Sequence, residues 1–171
     1  MGPDDFAYHL PDPAIAQIPL ADRPSARLLD ALAEPVAHRT VGDLPSLVGP
    51  GDVLVVNDTR VLPARLRAVR PTGGAAEVLL LRAVDDEGTW EALVRPSRKL
   101  PPGSTLTVDP GLAVEVADDL GEGRRYVRLS SDGPLADALD RCGEMPVPPY
   151  LTTTLDDPER YQTVYSRRPA S

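Results

Sequence analysis

Four polar residues with different chemistries lie side by side after a short apolar run. The run, Val53–Val56, is rich in β-branched residues and follows a turn at Gly51. Such a run, bounded by turn residues, is typical of a strand buried on both faces of an α/β sheet. In open α/β sheets, ligands lie beyond the carboxyl ends of the strands. The sequence therefore predicts a ligand site that offers an amide, a carboxylate, a hydroxyl and a guanidinium in succession: Asn57, Asp58, Thr59 and Arg60.

An alternative interpretation of this polar stretch is purely local. Asparagine and aspartate side chains often accept hydrogen bonds from backbone amides two residues further on, which makes a polar turn without any ligand. The residue types alone fit both interpretations, so a ligand site and a polar turn both stay open at this point.

Length and composition favour a globular protein of one domain or two small ones. The 171 residues are 42% hydrophobic, and no apolar run approaches the roughly 20 residues that a membrane-spanning helix needs. The N-terminus lacks the basic and then apolar segments of a secretory signal. A single cysteine, Cys142, excludes an internal disulfide, and His9 and His38 alone do not make a zinc site. These features indicate a cytoplasmic protein without a metal ion or a membrane anchor.

Charge is distributed unevenly along the chain. The net charge is −8, which argues against a general nucleic-acid binder, yet residues 60–99 carry 8 basic and 5 acidic side chains. This block has an excess of positive charge, so it is the candidate surface for phosphate groups. An ordinary solvated sheet face that carries arginines would have the same composition.

After residue 60 the sequence pattern changes to short apolar segments separated by turns. Six short apolar segments lie at residues 64–69, 76–83, 89–94, 105–108, 112–117 and 126–129, with turns rich in Gly, Pro and Asp between them. Strands at this spacing predict an antiparallel barrel or sandwich. A helix predicted at residues 135–141 follows, and then a stiff loop with three prolines before Tyr150.

Four longer stretches together resemble one known family. They are GDVLVVNDTRVLPARL at Gly51–Leu66, WEALVRPSRK at Trp90–Lys99, GEMPVPPY at Gly143–Tyr150 and ERYQTVY at Glu159–Tyr165. Each stretch is short, but their order and spacing are highly specific. With shorter matches elsewhere, the likeness spans nearly the whole chain, which resembles the S-adenosylmethionine:tRNA ribosyltransferase-isomerases of queuosine biosynthesis.

The resemblance implies a mixed α+β fold, in which an antiparallel β-barrel domain is inserted into an α/β domain. We assign residues 1–60 to the first part of the α/β domain and residues 61–146 to the inserted barrel. Residues 147–171 are then the return to the α/β domain. Family members continue beyond the ERYQTVY stretch, so we expect this chain to hold only the N-terminal portion and an incomplete α/β domain.

The resemblance also implies an activity. The family transfers the ribosyl unit of S-adenosylmethionine to a 7-aminomethyl-7-deazaguanine base in tRNA and rearranges it to the epoxycyclopentane of epoxyqueuosine, with release of adenine and methionine. S-adenosylmethionine is the ribosyl donor and no metal is implied. The expected partners are tRNA, S-adenosylmethionine and the missing C-terminal half, with no membrane involved.

The resemblance gives the polar stretch specific roles. The sulfonium of S-adenosylmethionine is a cation, so a nearby carboxylate stabilises it, and Asp58 is the candidate catalytic residue. The other candidates for binding substrate are Asn57, Thr59, Arg60, Tyr150, Arg160 and Gln162.

Two further groups of residues have open interpretations. Arg65, Arg98 and Lys99 are candidate contacts to tRNA phosphates, whereas Arg65 as a solvated strand residue is the alternative. The ring of Tyr150 could stack on a flipped-out base, or it could be a partly buried anchor for the proline-rich loop.

Three functional hypotheses follow. The first is the N-terminal portion of the transferase-isomerase, with elements that bind substrate but an incomplete active site. The second is a non-catalytic β-barrel module that binds tRNA or protein. The third is a truncated chain without independent function, for which we predict an unpaired apolar edge at Val53–Val56 that promotes association.

Overall fold

The computed structural model describes residues 2–153 and 157–169. The chain divides into two compact units: the first comprises Met1–Asn57 and Pro148–Arg160, the second Asp58–Val147 and Tyr161–Ser171. The assignment of residues 1–60 and 147–171 to one α/β domain stays a prediction. In the part of the chain that the structure describes, every helix is too short or too polar to cross a bilayer.

The first unit consists of short elements. Strands β1 (Arg27–Asp30) and β2 (Ala37–Thr40) form an antiparallel pair, followed by helix α1 (Leu44–Leu47). Among its described residues, none is buried, so this unit has no apolar interior of its own. Its 3₁₀ turns lie at Pro3–Phe6, Asp12–Ala14, Arg23–Ser25 and Val41–Asp43, with a further one, Pro158–Tyr161, where the chain returns.

The prediction that Val53–Val56 forms a strand buried on both faces is wrong. No strand is formed there, and the four side chains are 86%, 67%, 88% and 52% exposed in chain order. A β-branched run becomes a strand only when neighbouring strands pair with its backbone and cover its side chains. No such strand lies beside this run among the described residues. The segment is therefore an exposed apolar stretch that leads directly into the polar motif.

The second unit is a closed antiparallel barrel. After β3 (Thr59–Arg60), its strands are β4 (Arg65–Val69), β5 (Ala75–Ala83), β6 (Thr89–Arg95), β7 (Thr105–Asp109), β8 (Leu112–Gly121) and β9 (Arg124–Ser131). The six strands pair in the order β4-β5-β6-β9-β8-β7, and a pairing between β4 and β7 closes the ring. The predicted antiparallel barrel is confirmed. The closing contact pairs Val69 with Thr107.

The barrel interior follows from the alternation of side chains along each strand. On β4, for example, Leu66 and Ala68 are buried while Arg67 faces solvent. The same period of two holds on its neighbours, so that the apolar side chains meet in one interior. The buried core consists of Ala64, Leu66, Ala68, Ala76, Val78, Leu80, Ala92, Val94, Leu100, Leu106, Leu112, Val114, Val116, Val127, Leu129, Ala138 and Leu139, with Trp90 and Cys142 partly buried against it.

Aspartates organise three of the barrel turns. Asp85 Oδ1 accepts hydrogen bonds from the Glu87 and Thr89 amides, and Asp109 and Asp119 each accept one from the amide two residues on. These bonds hold the pKa of Asp85 and Asp109 below the ordinary aspartate value. The side chains thereby satisfy turn amides that no ladder hydrogen bond reaches.

Helix α2 (Leu135–Cys142) packs on the barrel, and a short strand follows it directly. Its apolar residues Ala138 and Leu139 are buried in the core. Strand β10 (Gly143–Glu144) follows at once and pairs antiparallel with β4, with Gly143 opposite Leu66. The remaining strand, β11 (Arg168–Pro169), pairs in parallel with β3.

Replacing Gly143 with alanine should destabilise the barrel. A Cβ atom there would overlap the Pro63 carbonyl oxygen and lie 2.6 Å from the Leu139 carbonyl oxygen, both of them backbone atoms. Relief requires the strand or the helix end to move, which costs about 1–3 kcal/mol in a packed interior. Urea denaturation measures the loss. The matched control is Gly133→Ala, because a Cβ at Gly133 meets nothing within 4 Å; equal stability of the two variants would contradict the tight approach.

Candidate functional site

The C-terminal segment of the chain holds the polar motif in place. In the parallel pair of β3 and β11, Thr59 lies opposite Arg168 and Arg60 opposite Pro169. One residue earlier on each side, the Arg167 amide donates a hydrogen bond to the Asp58 carbonyl oxygen at 2.9 Å. The backbone of Asp58–Arg60 is therefore fixed by residues more than a hundred positions further along the chain.

A buried glutamine fixes the residue after the motif. Gln162 is only 3% exposed, and its amide forms two hydrogen bonds with the backbone of Val61. The Val61 amide donates to Gln162 Oε1 at 2.9 Å, and Gln162 Nε2 donates to the Val61 carbonyl oxygen at 2.8 Å. The glutamine side chain thus acts as a neighbouring strand would. Both polar atoms of the Gln162 amide therefore bond the Val61 backbone. The contact between Gln162 and substrate stays a prediction.

The four motif residues differ in exposure. Asn57 and Thr59 are exposed, whereas Asp58 and Arg60 are half-buried. Each of the four has an interaction partner. A half-buried carboxylate beside exposed hydrogen-bonding groups is an arrangement that can stabilise a bound cation, because partial burial weakens screening by solvent.

Tyr150 and Arg160 lie in the first unit. The Tyr150 ring is 57% exposed, while the Tyr150 carbonyl oxygen accepts a hydrogen bond from Gln17 Nε2 at 3.0 Å. The backbone of Tyr150 is thus tied down and its ring is free of the interior, as stacking on a base would require. The Arg160 guanidinium donates to the Leu20 carbonyl oxygen, which ties the C-terminal part of this unit to its N-terminal part.

The candidate tRNA contacts have different surroundings. Arg65 is half-buried on β4, where its terminal nitrogen lies 3.5 Å from the Val147 carbonyl oxygen; its Nε is buried and has no hydrogen-bond partner among the described residues. Arg98 and Lys99 are exposed on a 3₁₀ turn, Ser97–Lys99, directly after β6. We call residues Arg95–Lys99 the cationic loop.

Sequence reasoning missed a buried arginine beneath the cationic loop. Arg125 lies on β9 and is 6% exposed, at a position where the alternation of that strand calls for an apolar residue. Its Nε donates to Ser97 Oγ at 3.1 Å, a terminal nitrogen donates to the Ser97 carbonyl oxygen at 3.2 Å, and Asp119 pairs with it at 3.1 Å. The signal that could have revealed it is this break in the apolar period.

The part of the chain that the structure describes contains no cluster of side chains that could bind a metal ion. Over residues 2–153 and 157–169, no three side chains of His, Cys, Asp or Glu come together in a way that could hold a metal ion. The described residues define a small β-barrel protein whose polar motif is held by its own C-terminal segment.

Comparison with known proteins identifies the family. A family model described as queuosine biosynthesis protein matches residues 3–171. The chain belongs to this queuosine biosynthesis family, and the predicted family is confirmed.

Individual relatives agree with the family model. An S-adenosylmethionine:tRNA ribosyltransferase-isomerase from Rubrobacter xylanophilus is 46% identical over 173 residues, which cover 100% of this chain and 50% of the relative. One from Clostridioides difficile is 43% identical over 171 residues, covering 98% and 50%. A crystal structure of the S-adenosylmethionine tRNA ribosyltransferase from Thermotoga maritima is 30% identical, with a TM-score of 0.40 over 81% of this chain and 48% of that one. The chain spans about half the length of the curated relatives it matches.

Proposed function

We propose that this chain is the N-terminal part of a tRNA-modifying enzyme that transfers the ribosyl unit of S-adenosylmethionine to a 7-aminomethyl-7-deazaguanine base. The product is the epoxycyclopentane of epoxyqueuosine, and adenine and methionine leave. The observation that carries the proposal is the Asn57–Arg60 motif, a half-buried carboxylate between hydrogen-bonding groups, held by the C-terminal segment. Relatives that bear this name support it. We place the activity in the cytoplasm.

Asp58 is the residue we propose at the sulfonium end of the donor. The carbon–sulfur bond to methionine is activated by the positive charge on sulfur, and a nearby carboxylate orients and stabilises that charge. Asn57 and Thr59 are proposed as hydrogen-bonding neighbours, and Arg60 as a second polar contact. The hydrogen bond from the Arg167 amide to the Asp58 carbonyl oxygen, and the two hydrogen bonds between the Gln162 side chain and the Val61 backbone, hold this part of the motif in one geometry, which reduces the ordering needed when substrate binds.

Residues of the first unit are proposed to meet the base that is modified. The exposed Tyr150 ring offers a flat apolar surface on which an unstacked deazaguanine could lie. Arg160 is proposed as a polar contact near it along the chain. Arg65, Arg98 and Lys99 are proposed to contact tRNA phosphates.

The test is adenine release by a fusion of this chain to the remaining half of the Rubrobacter xylanophilus relative. We expect the fusion to release adenine from S-adenosylmethionine, with methionine in equal amount, only when tRNA carrying the deazaguanine is present. Unmodified tRNA that lacks this base is the control. Absence of release by a folded fusion that still binds both substrates would contradict the proposed function.

A second candidate function is a tRNA-binding barrel without catalysis. Two observations favour it: the buried core lies in the barrel unit, and the cationic loop is exposed on that unit. Salt-dependent tRNA binding by the 171-residue chain, together with a fusion that releases no adenine, is the result expected from this candidate.

A further inference from the structure

The cationic loop carries three cations and no acidic residue. Arg95, Arg98 and Lys99 are exposed, and among the described residues none of them forms an ion pair. The sequence from residue 92 to residue 108 contains no aspartate or glutamate. In a chain with a net charge of −8, this loop is a local source of positive potential.

The loop is fixed at both ends and in its middle. The Lys99 amide donates to the Pro96 carbonyl oxygen and the Leu100 amide to the Ser97 carbonyl oxygen, each at 3.1 Å. Leu100, which follows the loop, is 2% exposed and packs in the barrel core. Strand β6 ends at Arg95. The loop backbone is therefore held by hydrogen bonds and by an apolar side chain.

Arg125 also holds the loop, through hydrogen bonds to Ser97 that packing of the barrel core does not require. A buried arginine costs desolvation free energy, so an apolar residue at this inward position would serve packing alone better. Here the guanidinium spans two acceptors of one residue, Ser97 Oγ and the Ser97 carbonyl oxygen, while Asp119 balances its charge. Those bonds hold the residue immediately before Arg98 and Lys99.

We propose that the cationic loop is a preorganised binding surface for the phosphate backbone of RNA, with Arg125 as its positioning residue. Arg95, Arg98 and Lys99 contact phosphates, and Arg125 contacts none. Guanidinium groups pair with two phosphate oxygens at once, and a loop that is already ordered loses less conformational entropy on binding. The inference rests on the proposed function for the identity of the RNA as tRNA, and it adds Arg95 as a phosphate contact and Arg125 as a residue that positions the loop.

Affinity for tRNA across a series of salt concentrations tests the contacts. Fluorescence anisotropy with labelled tRNA is measured on the 171-residue chain and on an Arg98→Ala, Lys99→Ala double variant. We expect the dissociation constant of the double variant to rise about tenfold or more, and the slope of log affinity against log salt to fall by about two. The matched control is Arg82→Ala, which removes an exposed barrel cation already paired with Glu91; it should leave both quantities nearly unchanged.

The positioning role of Arg125 is tested by comparing the change in tRNA affinity with the change in the salt slope. Arg125→Met keeps an apolar stem but removes the bonds to Ser97, so the loop must be ordered at the moment of binding. We expect the dissociation constant to rise about fivefold while the salt slope stays that of the unsubstituted chain, because the phosphate contacts are retained. A slope that falls by about one would show that Arg125 itself contacts phosphate and would overturn its positioning role.

A second variant covers the case in which Arg125→Met does not fold. Ser97→Ala removes one acceptor and leaves Arg125 paired with Asp119. It should weaken tRNA binding in the same direction by a smaller factor, again with an unchanged slope. Unchanged affinity in both the double variant and Ser97→Ala would overturn the inference.

The adenine-release assay separates the two proposals. If the fusion protein releases adenine while the loop substitutions leave the dissociation constant for tRNA unchanged, only the loop inference fails. If the unsubstituted fusion binds tRNA through the loop but releases no adenine, the proposed function fails and the loop remains an RNA-binding surface.

Discussion

Replacing Asp58 with asparagine in the fusion protein is expected to lower kcat/KM for S-adenosylmethionine in adenine release about 100-fold or more, because removing one partner of a desolvated charge pair costs about 2–5 kcal/mol of binding. Asparagine has nearly the same size and keeps hydrogen-bonding groups, so the change removes the negative charge and little else. The loss should be seen with S-adenosylmethionine, whose sulfonium we propose that the carboxylate contacts, while the KM for tRNA stays nearly constant. Steady-state kinetics with each substrate varied in turn measures both.

Asp52→Asn is the matched control for this substitution. Asp52 lies in the same stretch of sequence, is exposed, and accepts a hydrogen bond from the Gly49 amide at 2.7 Å. It should leave the rate of adenine release nearly unchanged. If both variants lose activity equally, the effect comes from the fold of this stretch, and the assignment of Asp58 is rejected.

Replacing Val55 with aspartate is expected to leave the stability of the 171-residue chain nearly unchanged and to destabilise the fusion strongly. In the 171-residue chain the Val55 side chain is 88% exposed, so the free energy of unfolding should change by less than about 0.5 kcal/mol. In the fusion, we expect the half of the relative that this chain does not span to cover Val53–Val56. A carboxylate buried there without a partner costs several kcal/mol. Urea denaturation of both proteins gives the two values.

Self-association provides a second measurement of the same segment. An exposed run of four apolar residues promotes association, so Val55→Asp should lower the fraction of oligomer that the short chain forms at high concentration. Thr72→Asp, on an exposed turn of the barrel, is the control and should be neutral in both proteins. Equal destabilisation of the short chain and the fusion by Val55→Asp would show that this segment is not covered in the longer protein.

The six strands could be predicted from the sequence because their determinants are local, although the pattern left a barrel and a sandwich both open and only the family resemblance favoured the barrel. The alternation of apolar Leu66 and Ala68 with charged Arg67 indicates which side chains face inward. The turns at Asp85 and Asp109 indicate where strands end. Each of the six predicted segments corresponds to an observed strand, with boundaries that differ by a few residues. Closure did not follow from these local patterns, because it requires pairings between strands that are far apart in the sequence, β6 with β9 and β4 with β7.

The features that the sequence did not predict depend on distant partners. Val53–Val56 has the composition of a buried strand, but a strand also needs neighbours, and composition cannot supply them. The pairing of Gln162 with Val61 joins residues 101 positions apart, so no local pattern indicates it. Arg125 differs from these two, because a charged residue at an inward position of β9 is itself a local signal that something polar lies inside.

Calorimetric titration of S-adenosylmethionine into the 171-residue chain, beside the same chain with Asp58→Asn, tests the central claim most directly. That claim is that the donor-binding motif lies at Asn57–Arg60 and is held by the chain's own C-terminal segment. We predict that the unsubstituted chain binds S-adenosylmethionine and that the substitution weakens binding at least tenfold, as expected for a partly buried charge pair. A folded chain that gives no heat of binding, or equal affinity in the two proteins, would contradict the claim.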